Sequence, residues 1–138
     1  MDTYTPNVAP VLDPQLDVVV LRCPDWVRFD PAPLQRLIAS KSKAEAEVIV
    51  CRVMEDLAMR LDVLQKGLAA QNLAMMLKPC RKIRLIAEQI GLTEVATAAN
   101  HVQTCLCQAD VIALEATMAR LERAFDVAVN EVWNFRQT

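Results

Sequence analysis

Glycine and aromatic residues are scarce in this sequence. Its 138 residues include two glycines, and Phe, Trp and Tyr together make up 4% of the chain against 54% hydrophobic residues overall. The core of such a chain must be mainly aliphatic, and the connections between its elements must be tight. The composition therefore favours helices, and the length suits one domain with a substantial core.

Histidine is also rare, the net charge is small, and the apolar runs are short. The single histidine leaves too few ligands for a zinc site, and the formal charge of −2 gives no case for general nucleic-acid binding. No apolar run approaches the roughly 18–20 residues that span a bilayer, and no charged segment followed by an apolar run opens the chain. We therefore predict a cytoplasmic protein that needs no metal, cofactor, nucleic acid or membrane.

The cysteines do not suggest a disulfide framework. There are five, an odd number, and most of them lie inside apolar helical patterns, where a free cysteine behaves as a small hydrophobe. Cys105 and Cys107 are two residues apart, a spacing that points helical side chains in different directions and does not make a metal pair. We interpret the cysteines as core residues.

The sequence divides near residue 40. Six of the seven prolines lie before that point, which breaks any long helix. We predict an irregular N-terminal arm and a short helix over residues 1–40, packed on a helical domain over residues 41–138.

Within the arm, the apolar run 18–21 can be a short strand or a buried extended piece. We favour the extended piece, because no second strand candidate accompanies it, and we expect Trp26 and Phe29 to hold it in place. Asp30 and Pro31 have the residue types of an N-cap and a first helical position. They predict the short helix, which runs through Leu34, Leu37 and Ile38.

Four longer helices follow. Ser42 and Glu45 have the spacing of a capping box, and Gly91 is the residue type that most readily ends a helix in the left-handed conformation. We also expect a kink or restart at Pro79, and N-caps at Asn72, Thr93 and Asp110.

Each of these helices has an apolar stripe that steps by three and four residues. The stripes are Val50, Met54, Leu57, Leu61, Leu64 and Leu68; Met76, Cys80, Ile83, Ala87 and Ile90; Val95, Ala98, Val102, Cys105 and Ala109; and Leu114, Met118, Leu121, Phe125, Ala128 and Val132. Because the connections are short, neighbouring helices must be antiparallel. The predicted fold class is all-α, an antiparallel up-down four-helix bundle with an N-terminal extension.

The order and spacing of several short motifs resemble the histidine-containing phosphotransfer (Hpt) domain of bacterial phosphorelays. The resemblance covers about residues 44–133. Residues 90–96, Ile-Gly-Leu-Thr-Glu-Val-Ala, are similar to the Leu-Gly-Leu-x-x-Leu-Ala turn that follows the phosphohistidine helix. Residues 109–110, Ala-Asp, and 114–115, Leu-Glu, resemble the Gly-Asp and Leu-Glu that open the family's last helix.

The family's functional motif is His-x-x-Lys-Gly, and its histidine lies about ten residues before the glycine of the turn. At the corresponding positions this chain has Arg81, Arg84 and Leu85. A guanidinium stays protonated and offers no lone pair, so Arg81 cannot act as the nucleophile of phosphotransfer. The resemblance therefore implies a degenerate member with no catalytic residues.

A cluster of cations marks the same helix. Lys78, Arg81, Lys82 and Arg84 are expected to point away from the core, with Leu85 beside them. One interpretation is a solvated helix face. The other is a partner-binding site, because the resemblance implies a receiver-domain partner with an acidic pocket, which a cationic face complements.

His101 is an alternative candidate for the phosphoacceptor, displaced from the position of Arg81. It shares a polar helical stripe with Glu94, Thr97, Thr104 and Gln108, which predicts a solvent-facing side chain, and no lysine follows it at the family's spacing. A passive surface role is the simpler interpretation.

We therefore predict a non-catalytic, Hpt-like signalling adaptor. It would bind a response-regulator receiver domain or a histidine kinase and modulate a two-component phosphorelay. Two alternatives stay open: an active phosphotransfer protein that uses His101, and a helical dimerisation or structural module unrelated to phosphorelays. The oligomeric state is left open.

Overall fold

The computed structural model describes residues 11–12, 19–20 and 29–137, with side chains described for residues 29–135. The described part is predominantly helical, which confirms the all-α class. Its five helices are α1 (Ala32–Ser40), α2 (Lys43–Ala69), α3 (Leu77–Ile90), α4 (Thr93–Gln108) and α5 (Val111–Gln137), and a short 3-10 turn spans Leu73–Met75. No helix of this part combines the length and apolar character that crossing a bilayer requires.

One short strand pair accompanies the helices. Strand β1 (Val11–Leu12) pairs antiparallel with β2 (Val19–Val20), so that Val11 lies opposite Val20 and Leu12 opposite Val19. The preference for an unpaired extended piece at 18–21 was therefore wrong. A strand of two residues is too short to show the alternating pattern by which a strand is recognised. The predicted contacts of Trp26 lie outside the described residues.

The capping box of α2 and the glycine end of α3 are confirmed. The backbone amide of Glu45 donates to Ser42 Oγ over 3.1 Å, and the amide of Ser42 donates to Glu45 Oε1 over 3.2 Å. Gly91 has a left-handed backbone with φ of 85°, and the following amide, that of Leu92, donates to Ala87 O over 2.8 Å. Some of the amides left unpaired at the start of α2, and some of the carbonyls left unpaired at the end of α3, thus find partners within their own turn.

Other helices begin differently from the prediction, either at a neighbouring residue or with a different capping arrangement. Asp110 accepts from the amide of Ala113 over 3.1 Å, as expected of a cap, but Leu92, not Thr93, precedes α4 as its N-cap. Helix α3 begins at Leu77, which places Pro79 in the first turn, where its missing amide has no intrahelical acceptor to lose. The restart predicted near Pro79 is this new helix start.

The N-terminal end of α1 is tied to the end of α3. Helix α1 starts at Ala32, one residue later than predicted, and Asp30 Oδ1 accepts from the Ala32 amide over 3.1 Å. The amide of Asp30 in turn donates to Gly91 O over 2.7 Å. Leu34 of α1 is buried in the same core as the longer helices.

A single aliphatic core unites the helices. Helix α2 packs on α3, α3 on α4, α4 on α5, and α5 on α2. Leu61, Leu64, Ile83 and Leu121 are buried in this core, and Phe125 packs against it half-buried, as the stripes predicted. Ala109 is the exception, because it is exposed and ends α4 in a left-handed conformation with φ of 54°.

Candidate functional site

Helix α3 is strongly amphipathic, and this division creates the candidate site. Its buried residues, Cys80, Ile83 and Ala87, recur at intervals of three and four and face the core. The intervening positions 78, 81, 82 and 85 are exposed on the opposite side. With 3.6 residues per turn, these four positions project from one half of the helix circumference. We call Lys78, Arg81, Lys82 and Leu85 the outer face of α3.

The cations of the outer face have no counterions in the described part of the chain. Lys78, Arg81 and Lys82 form no ion pair or side-chain hydrogen bond with any residue that the structure describes. Their positions lie within the first turn and a half of α3, and the first turn has no acidic residue. The amino end of a helix already carries a partial positive charge, so cations there are electrostatically unfavourable. This end of α3 is therefore a concentrated positive surface.

Arg84 differs from the other three cations. Its side chain is only 28% exposed, and its Nη1 pairs with the Glu88 carboxylate at 3.2 Å, one helical turn later. The Nε atom is buried and finds no acceptor among the described residues. The expectation that Arg84 points outward with the quartet was wrong, because a rotation of 100° per residue turns position 84 to the flank of the helix. The outer face consequently has three unpaired cations instead of four.

The flank of α3 beside Arg84 contacts α4 through a cysteine. Cys80 is fully buried, and its Sγ donates to Ala99 O over 3.1 Å. Burial raises the pKa of the Cys80 thiol to about 12, and the nearby Arg84 guanidinium opposes that shift only in part. A thiol held protonated is a poor nucleophile and a poor metal ligand, so Cys80 is a packing residue. Within the described residues, no group of three or more His, Cys, Asp or Glu side chains is placed to hold a metal ion.

Leu85 adds an apolar group to the charged surface. It is 45% exposed and lies one turn after Arg81 and Lys82 on the outer face. A half-exposed leucine flanked by arginine and lysine gives a partner both apolar surface to bury and positive charge to pair. An apolar centre within a polar rim is the usual arrangement of a protein-binding surface.

His101 is exposed on α4, as predicted. It lines a groove between α4 and α5, with Arg120 and Arg123 of α5, and no residue of α3 lines that groove. His101 and Arg81 therefore belong to different surfaces of the molecule. This groove was not predicted from the sequence. The spacing of Arg120 and Arg123 by three residues does indicate that both lie on one helical face.

The chain matches no protein-family model, no curated protein and no solved structure. The structure places four of the five predicted partner-binding residues on one exposed surface, the three unpaired cations Lys78, Arg81 and Lys82 together with Leu85. It separates Arg84 from that surface by its pairing with Glu88.

Proposed function

We propose that α2 to α5 form an antiparallel, up-down four-helix bundle of the Hpt type. The contacts between successive helices and between α5 and α2 support this arrangement. So do the connections α3–α4 and α4–α5, each of two residues, which are long enough only to join antiparallel neighbours. Ala109 adds support, since it adopts the left-handed conformation at the position where the family has glycine.

The chain would then be a non-catalytic adaptor of a two-component phosphorelay in the cytoplasm. Its partner would be a response-regulator receiver domain or a histidine kinase. The observation that carries this proposal is the unpaired cationic outer face, at the very positions where the resemblance places the phosphohistidine and its surroundings. Arg81 replaces the nucleophile with a permanent cation, which removes transfer chemistry but retains charge attraction.

Charge and shape give the outer face two separate roles. Lys78, Arg81 and Lys82 would meet the acidic pocket that the resemblance implies for a receiver, and arginine can engage a carboxylate through two parallel hydrogen bonds. Leu85 stands where the family has glycine. Its side chain would contact the partner beside the pocket, or hold the two proteins too far apart for phosphoryl transfer.

Binding to purified receiver domains and histidine kinases of the same organism tests the docking site. Charge-driven binding at an exposed face is screened over about 8–10 Å at 0.1–0.15 M salt. We therefore expect affinity to fall as ionic strength rises, mainly through a slower association rate. The variant Lys78→Glu with Arg81→Glu should weaken binding at least about tenfold without loss of thermal stability, because both side chains are exposed and unpaired and acidic residues suit the amino end of a helix.

A matched control exists on α5. Arg120 and Arg123 have the same spacing of three residues and are exposed, so Arg120→Glu with Arg123→Glu changes the net charge equally on another surface. Equal weakening by both double variants would show that net charge, not the outer face, governs binding. Arg84 is left intact in this design, since replacing it would break its pair with Glu88 and confuse binding with stability.

The groove around His101 favours one alternative function specifically. Arg120 and Arg123 line the same groove as His101, and guanidinium groups stabilise a phosphoryl group. Incubation with an active kinase, its receiver and labelled ATP distinguishes the two functions. The adaptor proposal predicts no label, whereas an alkali-stable, acid-labile label that disappears in His101→Ala would establish phosphotransfer through His101. If no receiver or kinase binds and no label forms, the structural or dimerisation module becomes the better explanation.

A further inference from the structure

The groove between α4 and α5 is a cationic recess separate from the outer face of α3. It has a volume of about 480 Å³ and is lined by Glu94, Thr97, Ala98 and His101 of α4 and by Arg120, Arg123, Ala124 and Val127 of α5. Ala98 and Ala124 are 8% and 6% exposed, and their side chains end at Cβ. The two helices therefore leave space between them, which longer side chains at these positions would fill.

The two arginines at this groove have no counterion among the residues that the structure describes. Neither forms an ion pair or side-chain hydrogen bond with any residue in the described ranges. The residues four before and four after each arginine are alanine or valine, so no carboxylate stands at that spacing. Asp126 is three residues after Arg123 but forms no ion pair with it in the part of the chain that the structure describes. Three other cations do have a carboxylate four residues away: Arg60 with Asp56, Lys66 with Asp62 and Arg84 with Glu88.

The spacing of Arg120 and Arg123 makes the missing counterion significant. Residues three apart lie on the same helical face, where like charges repel and destabilise the helix. Among the described residues, Glu94 is the one acidic residue that lines the groove. An external anion between the two guanidinium groups would remove their repulsion and give both side chains a hydrogen-bond acceptor.

We propose that this groove binds the phosphoryl group of inorganic phosphate or of a phosphate monoester. Arg120 and Arg123 would each donate guanidinium hydrogen bonds to different oxygens of the tetrahedral anion. His101 would donate an imidazole N–H from the opposite helix. The site is independent of the proposed adaptor function, because none of its residues belongs to α3.

His101 is the only histidine of the chain, so its imidazole proton resonances report on the groove without assignment ambiguity. Titration with inorganic phosphate, at constant pH and with ionic strength balanced by sodium chloride, should shift these resonances saturably. The variant Arg120→Gln with Arg123→Gln should weaken phosphate binding at least about tenfold, since it removes two charged hydrogen-bond donors. Glycerol phosphate in a second titration should bind at least as tightly as phosphate if a monoester is accepted, and markedly weaker binding would overturn the monoester part of the proposal.

Lys78→Gln with Arg81→Gln is the matched control. It removes the same number of cations at the same spacing from the outer face of α3, and phosphate affinity should be unchanged. A resonance shift that never saturates, or equal weakening by both double variants, would show that phosphate is attracted only by general positive charge. Either result would contradict a specific phosphate site in the groove. Should the glutamine variant lose its helical circular dichroism, Arg120→Lys with Arg123→Lys keeps the charge but loses the fork geometry. This lysine variant must then bind phosphate several-fold more weakly than the parent, and parental affinity would overturn the site.

Discussion

Replacing Leu121 by alanine tests whether the stripes of the four long helices meet in one core. Leu121 is in the middle of α5, is 1% exposed, and belongs to the core cluster with Leu61, Leu64 and Ile83. Leu85 supplies a control with the same chemical change. It is also in the interior of a helix, but 45% of its surface is exposed.

The size of the effect follows from burial. The substitution removes three carbon atoms, and at about 0.8 kcal/mol per buried methylene the transfer term alone is about 2.4 kcal/mol. The space left in a close-packed core adds a cavity term, so we expect a total loss of about 2–5 kcal/mol for Leu121→Ala. At Leu85 about half of the transfer term applies and no enclosed cavity forms, so the loss should be about 1 kcal/mol or less.

Urea unfolding followed by far-ultraviolet circular dichroism measures both free energies. The midpoint should fall strongly for Leu121→Ala with little change in the dependence on urea, because the surface exposed on unfolding stays nearly the same. A loss below about 0.5 kcal/mol at Leu121, or equal losses at the two leucines, would show that α5 does not present this side to the core.

The remaining predictions concern two helix ends and two thiols. Gly91→Ala should destabilise by at least about 2 kcal/mol in thermal unfolding, because φ is 85° and the added Cβ would collide with the carbonyl oxygen of Asp30. Ala109→Gly should instead stabilise by up to about 1 kcal/mol, because it relieves a left-handed alanine, and a loss there would contradict the assigned conformation. Alkylation at pH 8, followed by peptide mass spectrometry, should modify the exposed Cys107 long before the buried Cys80, and the reverse order would contradict the packing of α3 on α4. Because burial raises the pKa of the Cys80 thiol from its ordinary 9.0 to about 12, the unfolded chain loses that proton first. Stability should therefore fall as pH rises above about 9, and Cys80→Ala should flatten that decline.

The helices themselves could be predicted because their signals are local. The capping box of Ser42 and Glu45, the glycine at 91 and the cap at Asp110 each act within one turn of their own position. The N-cap of α4 is Leu92 and not the predicted Thr93, and Leu92 is held by the core, since it is fully buried while its backbone is still non-helical.

The candidate site was only partly visible in the sequence. A run of four cations in seven residues predicts a basic helix, but the rotation between adjacent residues decides which of them face outward. Lys78, Arg81 and Lys82 do so, whereas Arg84 turns toward the flank and pairs with Glu88. The Arg84–Glu88 spacing of four residues was visible in the sequence, but the helix face that is buried against α4 is fixed by packing.

The sequence by itself determined the helical class, the stripes that form the core and the positive charge of α3, because each depends on residues within a few turns of one another. The ion pairs are also local, since each joins residues four apart on one helix. Tertiary structure alone decided which surfaces form recesses. The groove of His101, Arg120 and Arg123 exists because two alanines from different helices meet at its floor. Such a meeting depends on how α4 and α5 pack together, and packing between distant segments leaves no periodic signal in either one.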